Sequence, residues 1–174
     1  MSAESEHDRY AALGYVHGRA RPWPMMLWRQ AALGRLGEWF GPSALEVDSL
    51  SRKLGFAALA QRTYDGLSAE QKASLRAYTS GLNAALDGPA PQLDQEITLL
   101  DVQPASWKPW HTLALERLFA WLSAAPPPAD SLRNASPQVR AFFRADRDLR
   151  KLLHLHNFQQ SAAWAVRDSA GTRL

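Results

Sequence analysis

SALEVDSLSRKLGFAALAQRTYDGLSAEQKASLRAYTSGLNAALDGP, residues 43–89, is the stretch that decides the fold class. Ser43-Ala-Leu-Glu46 and Ser68-Ala-Glu-Gln71 each place a hydroxyl three residues ahead of a carboxylate or amide. At that spacing the two side chains satisfy backbone N–H groups that a helix start leaves orphaned. One helix is therefore expected from Ser43 to about Asp65, with Val47, Leu50, Leu54, Ala58 and Gln61 along it. A second runs from Ala69 to about Leu86, stopped by Asp87-Gly88-Pro89. Together they form an expected antiparallel pair.

Outward from this pair the pattern stays helical. Tyr10, Leu13 and Val16, then Met26, Leu27, Leu33 and Leu36, recur at helical spacing on either side of Arg21-Pro22-Trp23-Pro24. Two helices meeting near Pro22 follow from that. Residues 88–109 contain Pro89, Pro91, Pro104 and Pro109 and read as irregular connection around the apolar stretch Ile97 to Val102. A helix from about Trp110 to Ala124 is expected next, ended by Pro126-Pro127-Pro128, and another from Pro137 to about His154. Ala163-Trp-Ala-Val166, Arg167-Asp-Ser-Ala-Gly171 and Thr172-Arg-Leu174 then read as strand, turn and strand. A hairpin alone is marginal in water, so it implies further sheet.

Composition narrows the function classes. With 174 residues, 46% hydrophobic content and seven tryptophans, the chain can build a sizeable core. Lys+Arg 20 against Asp+Glu 17 gives only +3, and both signs are scattered, which argues against a nucleic-acid partner. No stretch approaches 18 apolar residues, so no membrane partner is expected, and no signal peptide is visible at the N-terminus. Cysteine is absent, which removes disulfides, thiol nucleophiles and thiolate metal sites.

The chemistry-bearing residues are individually bland. His7, His17, His111, His154 and His156 read as surface or capping histidines, since His154 and His156 diverge on a helix. The tryptophans read as packing residues. Arg144, Asp146, Arg147, Asp148, Arg150 and Lys151 read as a solvated mixed-charge helix face. Phosphate-loop, nucleophile-elbow and metal-helix motifs are all missing. Ser161 stands where the helical body gives way to the strand, and taken alone it reads as a turn residue.

Four blocks change that reading. They are Tyr15-Val-His-Gly-Arg-Ala-Arg-Pro-Trp-Pro-Met25, Gly34-Arg-Leu-Gly-Glu-Trp-Phe-Gly41, Ala77-Tyr-Thr-Ser-Gly-Leu-Asn-Ala84 and Ser161-Ala-Ala-Trp-Ala-Val166. In order and spacing, with Trp107-Lys-Pro-Trp110 between the third and fourth, the chain resembles the penicillin acylase family. The resemblance implies an N-terminal nucleophile hydrolase, in which a precursor cuts itself into a helical small chain and a sheet-rich large chain. The cut would fall between Gln160 and Ser161, making Ser161 the nucleophile and its freed α-amino group the base. An uncut Ser161 has only an amide nitrogen, which cannot take the hydroxyl proton.

On this reading the fold class is an α+β fragment. Residues 1–160 are the helical small-chain region with its connecting segment, and residues 161–174 begin a truncated catalytic large chain. The missing large chain is the expected partner and a linear amide the expected substrate, either an acylated β-lactam or an N-acyl homoserine lactone. The fragment alone should be inactive. The resemblance also implies a periplasmic or extracellular location, Ala120, Ser123 and Ala124 as acyl-pocket residues, and Asp130 as a ligand to a structural calcium ion. Ala162, Ala20 and Pro24 depart from the family pattern, Pro24 by interrupting a helix. The alternative is a non-catalytic helical interaction module or truncated remnant.

Overall fold

The structure is a computed structural model that describes residues 5–88, 95–102 and 105–153. The expected hairpin of residues 163–174 lies outside them, as do His154 and His156. Helix α1, Glu6–Ala20, begins with the Ser5 hydroxyl accepting the Asp8 N–H at 3.1 Å. It breaks at Arg21, whose φ of -147° and ψ of 57° are not helical, and α2, Pro22–Leu33, follows at once. Pro24 does not interrupt α2, because it falls in the first turn, where backbone N–H groups have no intrahelical acceptor to lose.

The second family-like block is a turn built around one buried carboxylate. Helix α2 ends on Gly34, whose φ of 65° is left-handed. A Cβ there would also meet the Asp48 carbonyl at 2.8 Å. The short helix α3, Gly37–Phe40, then starts, with the Leu36 and Gly37 N–H groups donating to Asp48 at 2.7 and 2.8 Å. Asp48 is 1% exposed, so the charge that caps α3 comes from a different helix and is held inside.

The expected helix from Ser43 to Asp65 is two helices, and it does not begin as expected. Gly41–Ala44 is a 3-10 turn, the Ser43 hydroxyl donates back to the Phe40 carbonyl at 2.8 Å, and Glu46 pairs with Arg144 at 3.1 Å instead of closing a capping box. Helix α4, Leu45–Leu54, ends at Gly55 with φ 71°, and α5, Phe56–Gly66, sets off from the same residue. A left-handed residue cannot continue a right-handed helix, so Gly55 redirects the chain. Val47 and Leu50 are buried as expected; beyond the break Phe56 and Ala60 take over, while Ala58 and Gln61 face solvent.

Helix α6, Ala69–Asp87, has the expected capping box between Ser68 and Gln71. Its main partner is not the preceding helix. It packs along α1, and the contacts of Gly14 with Tyr78 and Leu82 and of Gly18 with Leu82 and Ala85 advance together, so the two helices run parallel. Three glycines allow the approach. A Cβ on Gly14 would sit 2.0 Å from the Tyr78 carbonyl oxygen, and one on Gly81 would sit 1.8 Å from that of Ala11. The apolar series Tyr10, Leu13 and Val16 instead faces outward, at 36, 45 and 50% exposure.

A short helix, α7, Gln95–Leu99, stands in the segment expected to be irregular. Its Ile97, with Val102 and the fully buried Met26, forms a small second core. The main core lies between α2, α4, α5, α8 (Pro109–Ser123) and α9 (Pro137–Leu152), where Leu36, Leu50, Leu118, Leu122 and Leu149 are each at most 2% exposed. Each such side chain contributes about 1.5–3 kcal/mol. No strand occurs among the described residues, and no described helix is long and apolar enough to cross a membrane.

Candidate functional site

Helix α8 carries the three residues expected at an acyl pocket, so its placement decides what they can do. Its start is pinned by the third block. Asn83 of α6 reads the backbone of Trp107 twice, with the amide donating to the Trp107 carbonyl at 3.0 Å and the side-chain oxygen accepting its N–H at 2.7 Å. Trp107 is 2% exposed, and its indole N–H reaches the Thr112 hydroxyl at 3.2 Å. The Lys108 N–H donates to Nδ1 of His111 at 3.0 Å, and Pro109 occupies the first helical turn. His111 is thus a capping histidine, but a buried one, at 6% exposure. Burial, then the neighbouring Arg29 and Lys108, push its pKa down to about 3.

The far end of α8 is held by residues the sequence placed on a solvated face. Asp146, at 2% exposure, accepts the Trp121 indole N–H at 2.8 Å and pairs with Arg150 at 3.0 Å. Arg150 also donates to the Leu122 carbonyl at 2.7 Å and, beside the Ala124 N–H, to the Trp121 carbonyl at 3.3 Å, both in the last turn of the helix, where carbonyls lack their usual partners. The mixed-charge run is therefore split. Arg144, Arg147 and Lys151 are exposed, whereas Asp146 and Arg150 form a buried clamp on α8. Their i, i+4 spacing was the available signal. What the sequence could not show is which face turns inward.

Between these anchors, α8 presents Ala120, Ser123 and Ala124 at its exposed C-terminal end. The Ser123 hydroxyl donates to the Ala120 carbonyl at 2.8 Å, and the Ala124 N–H closes on Trp121 at 3.2 Å. The structure thus brings the three together on one helix end. Nearby on α8, Phe119 meets Trp28 edge to face at 5.2 Å between ring centroids. Asp130 lies in the 3-10 turn Ala129–Leu132 after the triproline, exposed and paired with Arg133 at 2.9 Å. Among the described residues no group of three His, Cys, Asp or Glu side chains is gathered to hold a metal ion. Gln160 and Ser161 lie outside the described residues.

Comparison with known proteins adds what these residues do not supply. The family model described as penicillin amidase matches residues 1–172. The chain is 45% identical over 117 residues to a penicillin acylase 2 proenzyme from Pseudomonas sp. (strain SE83), covering 67% of this chain and 15% of that protein. It is 35% identical over 103 residues to the acyl-homoserine lactone acylase QuiP of Pseudomonas aeruginosa, covering 59% of this chain and 12% of that one. The chain thus spans about one seventh of the curated relatives it matches. Among solved structures, a thermostable penicillin G acylase from Alcaligenes faecalis superposes with a TM-score of 0.59 at 18% identity, covering 94% of this chain and 89% of that chain.

Proposed function

This chain belongs to the penicillin amidase family, and from that premise we propose that it comprises the helical small-chain region, residues 1–160, and the start of the large chain, residues 161–174, of an amidohydrolase precursor whose nucleophile is Ser161. The observation that carries the reading is the extent of the family match, which runs through the Gln160–Ser161 junction to residue 172. The coverage figures support separation into two chains. The chain is a small part of a proenzyme but spans most of a solved acylase chain with the same fold.

Cleavage between Gln160 and Ser161 frees an α-amino group with an ordinary pKa of about 8. Through water, that amine takes the Ser161 hydroxyl proton as the oxygen attacks the amide carbonyl. The C–N bond then breaks, the leaving amine takes up the proton, and water hydrolyses the acyl-enzyme to release the acid and regenerate Ser161. The relatives named above are acylases of penicillin and of acyl-homoserine lactones, so the substrate is an acylated β-lactam or an N-acyl homoserine lactone. Ala120, Ser123 and Ala124 sit at the C-terminal end of a helix anchored at both ends and contribute to the acyl pocket. Asp130, here paired with Arg133, would supply one carboxylate to a structural calcium ion, and the enzyme works in the periplasm or outside the cell.

Oxyanion donors come from the large chain, and losing one such donor lowers rates by about 10² to 10³. The 174-residue chain by itself should therefore release no acid from either substrate class. The test incubates it with a penicillin and with an N-acyl homoserine lactone and follows acid release by chromatography. Turnover by the chain alone would contradict the need for a large-chain partner.

A further inference from the structure

Arg29 is 2% exposed, yet its only hydrogen bond among the described residues runs from Nη1 to a neutral acceptor, the Ala105 carbonyl, at 2.6 Å. Its guanidinium also lies over the Trp107 ring, 5.3 Å from the centroid. A buried charge normally has a counter-charge, because desolvation without one is costly. Here the surroundings work the other way. Burial and then Arg35 push the Arg29 pKa down to about 10, still high enough to keep it charged at neutral pH.

Arg29 lines a cleft of about 380 Å³ between α2, α3 and the first turn of α8. Lys108, Arg35 and His111 line it too. The one carboxylate there, Glu38, is already engaged by Arg35 at 2.6 Å and by Gln30 at 3.2 Å. His111 spends Nδ1 as the acceptor for the Lys108 N–H, so its remaining ring nitrogen carries the proton and is a donor. The cleft therefore offers several cations and donors against one carboxylate that is already paired, and its other walls include Leu33, Trp39 and Trp110. The volume falls within the range of small-molecule sites.

We propose that this cleft is a carboxylate-binding site, in which Arg29, seated on Trp107, and Lys108 hold the carboxylate while Trp39 and Trp110 flank the group that bears it. A free carboxylic acid with a flat apolar body and an Asp or Glu side chain of another polypeptide segment present the same chemistry. The inference uses neither Ser161 nor the acyl-pocket reading, so either can fail without the other.

The test is NMR titration of the 174-residue chain at constant ionic strength, following the indole N–H signals of Trp39 and Trp110. Sodium benzoate is the free-acid probe, benzamide its neutral isostere, and N-acetylaspartate methylamide the side-chain mimic. Saturable shifts are expected with at least one carboxylate, with benzamide at least tenfold weaker than benzoate. Lys108→Gln, at an exposed position, should fold normally and weaken carboxylate binding several-fold; Arg29→Lys, which keeps the charge but loses the planar fork, should weaken it further. Tighter binding of benzoate assigns a free acid, and tighter binding of the aspartyl compound assigns a polypeptide side chain. Saturation by neither carboxylate, equal binding of benzamide and benzoate, or unchanged affinity in Lys108→Gln would overturn the proposal.

Discussion

His111 and Asp146 hold the two ends of α8, and each makes a measurable demand on the folded state. The His111 ring is neutral when folded because its pKa is about 3, whereas in the unfolded chain it returns to the ordinary value near 6.5. Between these values the unfolded chain binds the extra proton, so His111 makes stability fall as pH drops from about 6.5 towards 3. The largest slope one group can contribute is about 1.4 kcal/mol per pH unit. Urea midpoints measured from pH 7 to pH 4 should show this loss, and His111→Phe should flatten the profile. A wild-type midpoint that is constant over that range would refute the assignment. Asp146→Ala strands the Arg150 guanidinium and the Trp121 indole N–H together. Breaking a buried pair from one side costs about 3–5 kcal/mol, which equilibrium denaturation would detect. Arg147→Ala, on the exposed part of the same helix, should change stability by less than about 0.5 kcal/mol.

Among the elements, the parallel α1–α6 contact is the most sensitive to side-chain size. Gly81→Val forces atoms against the Ala11 carbonyl, where even a Cβ would stand at 1.8 Å. The helices must separate, at about 1–3 kcal/mol or more. Gly66→Ala has open space around its Cβ and should leave stability unchanged or raise it by up to about 1 kcal/mol. Equal effects of the two substitutions on the denaturation midpoint would rule out the close approach. This contact also marks where the sequence stops being readable. The Ser68–Gln71 box and the Pro22 break act within a few residues, so both could be read locally. The break at Gly55 could not, because an isolated glycine in a helical pattern is usually tolerated. The exposed series Tyr10, Leu13 and Val16 marks α1 as a helix but not the face it buries, because apolar periodicity finds large side chains. The face that packs on α6 is instead marked by Gly14 and Gly18, which carry no hydrophobic signal. At the site, the resemblance indicated the α8 end, but its anchors depend on partners far along the chain. Asn83 meets Trp107 and Arg150 meets Leu122 only after folding, and neither spacing is a motif.

For the molecule as a whole, the four blocks prove to have different roles. The first three are joints of the helical body: the Pro22 junction, the Gly34–Gly41 turn on Asp48, and the α6 stretch that carries Gly81 and Asn83. The fourth, at Ser161, lies outside the described residues, and the proposed hydrolase gives it the role of nucleophile. Ser161→Ala should then abolish chain cleavage while leaving the helical region folded, as judged by far-ultraviolet circular dichroism. Cleavage persisting in that variant would require another nucleophile. The most direct test of the central claim is N-terminal sequencing and intact mass of the product expressed from the native locus with its flanking DNA. The account predicts a second polypeptide whose first residue is Ser161; an uncut product of 19.4 kDa alone would contradict it.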